Sequence, residues 1–272
     1  MKNLVMTAAV GLDPKAVEFF IKSLRKFYED EVYFLVGRKD YDLKKKLKSY
    51  NSKFYQIDDH RYDIQLNRYK YFLEILKKND KFKQIFICDC RDLYFQSNPF
   101  NYKYKGSINF FSEDISINQC PINSKWIYKT FGKKIYKNIS DNVICCSGTV
   151  LGSSDSMIDY LNLMNSMIVK YPFRKSLKYL LTFRRDKEGR GCDQGYCNFI
   201  VHTKCLNNSF LYSNHEGPIA TVFYLKKIKF NEKSELLNNL GQAYSVVHQY
   251  DKRWSEFSEK VNLIKKNLNS RQ

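Results

Sequence analysis

The segment Ile85-Phe86-Ile87-Cys88-Asp89-Cys90-Arg91-Asp92-Leu93-Tyr94-Phe95 sets two carboxylates where an apolar run ends. An ionised aspartate in such surroundings is costly unless a cation or hydrogen-bond donors compensate it, and two so close together also repel. A hard divalent ion such as Mg²⁺ or Mn²⁺ meets both demands, because it takes one or two carboxylates and fills its other positions with water and phosphate oxygens. A plainer arrangement, with Asp89 as a cap and Asp92 paired to Arg91 on the surface, satisfies the same charges. A third carboxylate, Asp193, opens a helix start in Gly191-Cys192-Asp193-Gln194-Gly195-Tyr196-Cys197-Asn198. There it serves either as a base or acceptor of hydroxyl groups, or only as an N-cap. His248 closes the late run Val246-Val247-His248. An isolated histidine is more often structural than a ligand, but beside two aspartates its neutral ring suits Mn²⁺ better than Mg²⁺.

Asp89-Cys90-Arg91-Asp92, followed by an apolar triplet, Gln96 and Asn98-Pro99-Phe100, resembles the metal-binding aspartate motif of GT-A glycosyltransferases. The variant is the one with Asp at the first and fourth positions, as in collagen-type and assorted viral and bacterial sugar transferases. It departs from the commoner Asp-X-Asp, since Cys90 stands where the first Asp would be, so Asp89 touches the metal, the ribose or only Arg91. Cys146-Ser147-Gly148-Thr149-Val150-Leu151-Gly152 is similar to the family's small-residue strand, and the Asp193-Gln194 helix start and His248 follow in the family's order.

The resemblance implies a metal-dependent transferase that moves a hexose or pentose from a nucleotide-diphosphate sugar, a UDP-sugar first among them, to a hydroxyl of a glycan, glycolipid or glycoprotein. It implies Asp89, Asp92 and His248 as ligands of Mn²⁺ or Mg²⁺. Asp193 is implied near the reacting sugar, and Thr7, Ala8, Ala9, Arg68, Tyr71, Asp89, Arg91, Ser147, Gly148 and Gln194 as donor contacts.

The elements that must position these residues follow from periodicity. Residues 3–10 and 32–36 read as buried strands around a helix over 14–28, and residues 64–76 form a helix before the strand 84–88. Strand or loop follows near 108–111, then a strand over 143–151 and a helix over 154–169 capped by Ser154 or Asp155. A basic, glycine-poor loop covers 175–190, a helix begins at Asp193, and a strand covers 243–248. Residues 256–272 form a basic amphipathic helix that packs or lies on a membrane. Helices alternating with apolar strands give an α/β class with a Rossmann-like, mixed but mostly parallel sheet and helices on both faces, which the resemblance implies is one GT-A domain over 1–272. Ligands of such sheets sit at the carboxyl ends of strands. The ends of the runs before Asp89 and His248 should therefore meet on one edge of one sheet.

Composition sets outer bounds. With 43% hydrophobic and 16% aromatic residues the chain is no disordered polyelectrolyte. Forty-six Lys and Arg against 28 Asp and Glu give +18, a field that attracts polyanions without choosing among nucleotide diphosphates, nucleic acid and anionic membranes. The eight cysteines lack the spacing of a disulfide framework or zinc site, so reduced thiols are expected. The first apolar run is too short for a span and lacks a signal-peptide cleavage region. A cytoplasmic protein, free or resting on a membrane face, is the expectation. No glycine-rich dinucleotide loop and no Gly-Lys-Ser/Thr loop is present, which disfavours oxidoreductases and P-loop NTPases. The rival reading is a basic metal-dependent nucleic-acid-binding protein or nuclease, with bases stacking near Tyr102 to Lys105. A further one is a degenerate transferase that only binds carbohydrate.

Overall fold

The computed structural model describes residues 1–58, 64–79, 82–174 and 189–270. The basic segment expected to form a loop falls mainly on 175–188, outside the described residues. The chain begins with alternating strands and helices: β1 (Leu4–Ala8), α1 (Pro14–Arg25), β2 (Glu31–Gly37), α2 (Tyr41–Ser49), β3 (Lys53–Ile57), α3 (Ile64–Lys78) and β4 (Gln84–Cys88). These four strands run parallel, in the order β3-β2-β1-β4. After the aspartate motif come β5 (Leu93–Phe95), β6 (Ile108–Ser116), α4 (Pro121–Ile139), β7 (Val143–Ser153) and α5 (Ser154–Lys170). Strand β7 inserts antiparallel between β4 and β6, and β8 (Ser209–Tyr212) closes the far edge, giving a seven-stranded mixed sheet. Helix α6 (Asp193–His202) packs on β7.

The pleat of β1 divides the core. Leu4 and Met6 face one layer with Tyr69 and Phe72 of α3, Tyr160 and Met164 of α5, and Tyr196 of α6. Val5 faces the other, with Val17, Phe20 and Leu24 of α1 and Leu43 and Leu47 of α2. Alternate residues of a strand point to opposite faces, so a sheet with helices on both sides needs apolar residues at every position of its central strands. The run LVMTA does this at all positions but Thr7, which is buried as well.

A second sheet holds the site together. Strands β9 (Ile219–Thr221) and β10 (Val246–His248) run parallel, and β5 pairs antiparallel with β10, so that Leu93 lies opposite His248. The expectation that the strands before Asp89 and His248 share one sheet is therefore corrected: β4 belongs to the large sheet and β10 to the small one. The two segments meet because the chain leaves β4, passes the motif and enters β5, which pairs directly with β10. The outer face of this small sheet is covered by α7 (Trp254–Asn269), through Phe257 and Val261. The amphipathic C-terminal helix thus packs on the protein with its apolar stripe. Among the described residues no helix is long and apolar enough to cross a membrane.

Local details also differ from the sequence reading. Helix α1 stops at Arg25, whose guanidinium donates to the carbonyls of Tyr28, Asp30, Tyr50 and Asn51 and so pins the turn to the end of α2. Helix α5 is capped by Ser153, whose hydroxyl accepts from the amide of Ser156, rather than by Ser154 or Asp155. Helix α4 carries a kink at Gly132, where φ of 81° lies in the left-handed region that glycine tolerates. All eight cysteines are free thiols, seven of them buried.

The link between β5 and the turn region before β10 rests on one side chain. Buried Gln96 donates to the carbonyls of Leu236 and Tyr244 and accepts from the amide of Leu236. Gln96→Leu leaves the Leu236 amide and the Tyr244 carbonyl without partners and the Leu236 carbonyl with the Tyr244 amide alone, each orphaned group costing about 1 to 3 kcal/mol unless the structure relaxes. A loss of about 2 to 4 kcal/mol in urea unfolding is expected. A change below about 0.5 kcal/mol would show that the small sheet does not depend on this anchor.

Candidate metal and donor site

Asp89 follows the last residue of β4, and its amide donates to the carbonyl of Gly148 on β7, at 2.9 Å. Asp92 follows one turn later, with its carbonyl accepting from the amide of Gln249 at 2.7 Å, so both ends of the motif are tied to site segments. His248 brings its ring between them: Nε2 lies 3.5 Å from Asp89 Oδ2 and 3.7 Å from Asp92 Oδ1. One ligand atom from each of the three residues falls within 4.8 Å of the others. These separations are too long for hydrogen bonds with good geometry. They suit ligands flanking one ion, since neighbouring ligands at about 2.1 Å from a six-coordinate ion lie about 3 Å apart.

Three observations test whether a divalent cation fits. His248 is 1% exposed, and its Nε2 has no hydrogen-bond partner although buried. The other ring nitrogen, Nδ1, is 3.5 Å from Cys146 Sγ, which orients the ring. Gly148 lines the space: a Cβ there would stand 2.5 Å from His248 Cε1 and 2.6 Å from Asp89 Oδ2. The small residue of this strand therefore keeps the space beside Asp89 and His248 open. The donor set, two carboxylates and one imidazole, suits Mn²⁺ and is harder to reconcile with soft metals.

Arg68 of α3 organises the surrounding charge. Its buried guanidinium donates to Asp89 Oδ1 at 2.6 Å and to Asp193 Oδ2 at 2.8 Å, with longer contacts to the Ser147 carbonyl and the Tyr69 hydroxyl. Partial burial, with the side chain 40% exposed, opposes ionisation of Asp89, yet Arg68 first and His248 next hold its carboxyl well below the usual carboxylate range. Asp92 moves the other way, raised by burial and by the charges of Asp89 and Asp251 against the pull of His248. Burial disfavours the imidazolium of His248, but the Cys146 sulfur and the two aspartates outweigh it and push the ring well above its ordinary value. The raised value favours the protonated ring beside the acids, and a divalent ion binding there would displace that proton.

The side chains of the motif point in different directions. Cys90 is buried and its Sγ contacts the Ala8 carbonyl at 3.4 Å, away from the cluster. Arg91 pairs loosely with Asp92 and Asp251, at 3.6 and 3.4 Å, and Asp89 with Arg68 and His248. Asp193 is the first residue of α6, with Cys192 at the cap position, so the capping alternative is set aside. Its carboxylate is 4% exposed, and Oδ2 accepts from Arg68, from the Tyr69 hydroxyl at 3.0 Å and from the Ser147 hydroxyl at 3.1 Å. That saturated oxygen orients Arg68.

A cavity of about 140 Å³ opens beside the cluster. Ala8, Val10, Leu12 and Ile64 provide apolar wall, and Arg68, Asp89, Asp92, Arg91 and Arg190 provide ionic wall. Of the expected donor contacts at the end of β1, Ala8 lines this cavity, whereas Thr7 and Ala9 are buried in the sheet. Tyr71 packs near Tyr55 on the outer part of α3 and does not line it. Ser147 and Gly148 meet the cluster as described, and Gln194 Nε2 donates to Glu113 at 3.2 Å and Asn123 at 3.1 Å.

Glu113 escaped the sequence reading because its strand was expected to end near residue 111. It lies on β6, 3% exposed, and burial raises its carboxyl to about 7, with the Gln194 amide and His248 pulling back. The proposed base-stacking platform fares differently. Tyr102 and Tyr104 pack edge to face with each other and with Tyr212. No family model and no curated protein matches this chain.

Two predictions follow from the packing and charge of this site. Gly148→Ala should abolish Mn²⁺ binding, measured by electron paramagnetic resonance of free Mn²⁺, while the circular dichroism spectrum is kept; unchanged affinity would mean that the ion does not sit between the three ligands. The second concerns Glu113, whose folded value near 7 exceeds the ordinary 4.5. A raised carboxyl stabilises the fold below pH 4.5 and loses that contribution as pH rises through 7, a total of about 3 kcal/mol. With chelator present, Glu113→Gln should gain about 2 to 3 kcal/mol on wild type between pH 5 and pH 8. An equal pH dependence of the two proteins would place Glu113 in a solvated setting.

Proposed function

We propose that the chain is a metal-dependent glycosyltransferase of the GT-A type, which binds a nucleotide-diphosphate sugar, most simply a UDP-sugar, and transfers the sugar to a hydroxyl of a glycan. The observation that carries this reading is the convergence of Asp89, Asp92 and His248, drawn from distant parts of the chain, around a space that one methyl group on Gly148 would fill. That space adjoins a cavity lined by both apolar and ionic side chains, a mixture that suits a ligand carrying a flat base and a diphosphate.

The residues divide the work by their chemistry. Asp89, Asp92 and His248 hold Mn²⁺ or Mg²⁺, which when bound supplies Lewis-acid neutralisation of the departing diphosphate. Arg91 and Arg190, on the ionic wall, face the phosphates. Val10, Leu12 and Ile64 shelter the base from water, and Ala8 allows close approach at the end of β1. Arg68, fixed by Asp193, keeps Asp89 ionised and immobile, so that the ligand set is arranged before the donor arrives. The donor sugar then lies toward Ser147, Gly148 and Gln194.

The test is a thermal shift with three additions. UDP with Mn²⁺ should raise the melting temperature by several degrees at concentrations about a hundredfold above its Kd. UDP alone, and single-stranded DNA with Mn²⁺, should do much less. Asp92→Asn should lose the Mn²⁺-dependent part and retain less than about a tenth of transfer, a barrier change above about 1.4 kcal/mol. Stabilisation by DNA and not by UDP would favour the nucleic-acid reading instead.

A further inference from the structure

The carboxylates around the metal cluster differ in what already occupies them. Asp89 and Asp193 are paired with Arg68, Asp114 with His215 at 3.3 Å, and Asp251 with Arg91. Glu113 is different: among the described residues it makes no ion pair, and its hydrogen-bond donor is the neutral amide of Gln194. A buried carboxyl without a cation is costly, and groups of that kind concentrate where chemistry needs them.

Its position is fixed by three elements. Strand β6 pairs with β7 so that Ser112 lies opposite Cys145. The register shifts on both sides of that pair, so alternation does not place Glu113; it lies within electrostatic reach of Cys146 and of His248, and the Cys146 sulfur contacts the ring of His248. Gln194 stands one residue after Asp193, whose carboxylate holds Arg68, so the Glu113 amide partner is continuous with the charge network of the site. Gln194 is held in turn by Asn123, Asn123 donates to Cys120 Sγ, and Cys120 meets the Tyr224 hydroxyl at 3.7 Å. Two residues before Tyr224, the Val222 amide donates to the backbone carbonyl of His248. Phe223, 41% exposed and 4.5 Å from the Tyr224 ring, and exposed Ile122 at the start of α4 rim this region. Flat apolar groups beside polar ones are the composition that sugar rings bind.

We propose that Glu113 is the catalytic base of the reaction, taking the proton of the attacking acceptor hydroxyl at the carboxylate that Gln194 orients. This assignment rests on the transferase reading. The acceptor oxygen forms its bond to the anomeric carbon as the bond from that carbon to the diphosphate oxygen breaks. The electron pair leaves on the diphosphate and the proton passes to Glu113, so the step needs no further reactant. Asp193, whose Oδ2 already accepts three hydrogen bonds, is a positioning residue for Arg68.

Glu113→Gln is the discriminating variant, because its amide oxygen still accepts from Gln194 while its proton affinity is gone. With Mn²⁺ and the better of UDP-glucose and UDP-galactose as donor, and water as the simplest acceptor, UDP release should fall about a hundredfold, within the range of general-base effects. The thermal shift by UDP with Mn²⁺ should be unchanged. Azide attacks without losing a proton, so it should restore UDP release to within about tenfold of wild type and yield the glycosyl azide. Glu113→Asp, which keeps the charge on a shorter arm, should fall less than Glu113→Gln. Equal rates in wild type and Glu113→Gln, or no azide rescue while the UDP shift persists, would overturn the assignment. Loss of the UDP shift in both variants would make Glu113 structural and overturn it too. A wild-type protein that shows neither the UDP shift nor UDP release would instead sink the transferase reading on which this one stands.

Discussion

The fold is arranged around an excess of negative charge that its own cations leave partly uncompensated. Three carboxylates, Asp89, Asp92 and Asp193, gather about one permanent cation, Arg68, and one imidazole, His248. Arg68 is committed to two of the acids. The third, Asp92, is left with a distant Arg91 and a histidine ring that stands too far for a good hydrogen bond. Two acids beside one histidine ring, an orphaned ring nitrogen and a space kept free by glycine are together the signature of a site that wants an external cation.

Everything that positions this cluster is ordinary packing. The parallel strands β1 and β4 deliver Ala8 and Asp89 to one edge, with helices burying both faces of the sheet. The small sheet delivers His248 by pairing β10 with the strand that follows the motif. Helix α7 then covers that sheet from outside. The rigidity of the site therefore comes from two hydrophobic layers and a short antiparallel pairing. Its polarity comes from five or six side chains, and a change that preserves packing while altering one of them separates the two contributions.

Much of this was legible in the sequence, and the limits are physical. Long apolar runs and helical periodicity located β1, β2, β4, β7, α1, α3 and α5 to within a few residues, because those segments are buried by their own composition. The short edge strand β3 and helix α2 carry few apolar residues, Leu43 and Leu47 being the buried ones of α2, so periodicity had little to act on. The aspartate pair stood out because charge at the end of a buried strand is rare. That His248 joins it depends on β5 pairing with β10 across some 150 residues, which no local pattern encodes. Glu113 was hidden for a related reason: in Phe110-Phe111-Ser112-Glu113-Asp114 it reads as the polar end of a strand, and only the packing of α6 and the 222–225 turn over it makes it buried. The direction of Cys90, toward the Ala8 carbonyl, was likewise settled by tertiary contact.

The central claim is that Asp89, Asp92 and His248 share one divalent ion that receives a nucleotide diphosphate. A crystal structure with Mn²⁺ and UDP, with anomalous diffraction collected at the manganese edge, tests it most directly. The account predicts a single anomalous peak between Asp92 and His248 Nε2, about 2.0 to 2.3 Å from the ring nitrogen, with the diphosphate completing the shell and the base against Val10 and Leu12. A UDP molecule bound without manganese at that point, or manganese bound elsewhere with the His248 ring turned from it, would contradict the account.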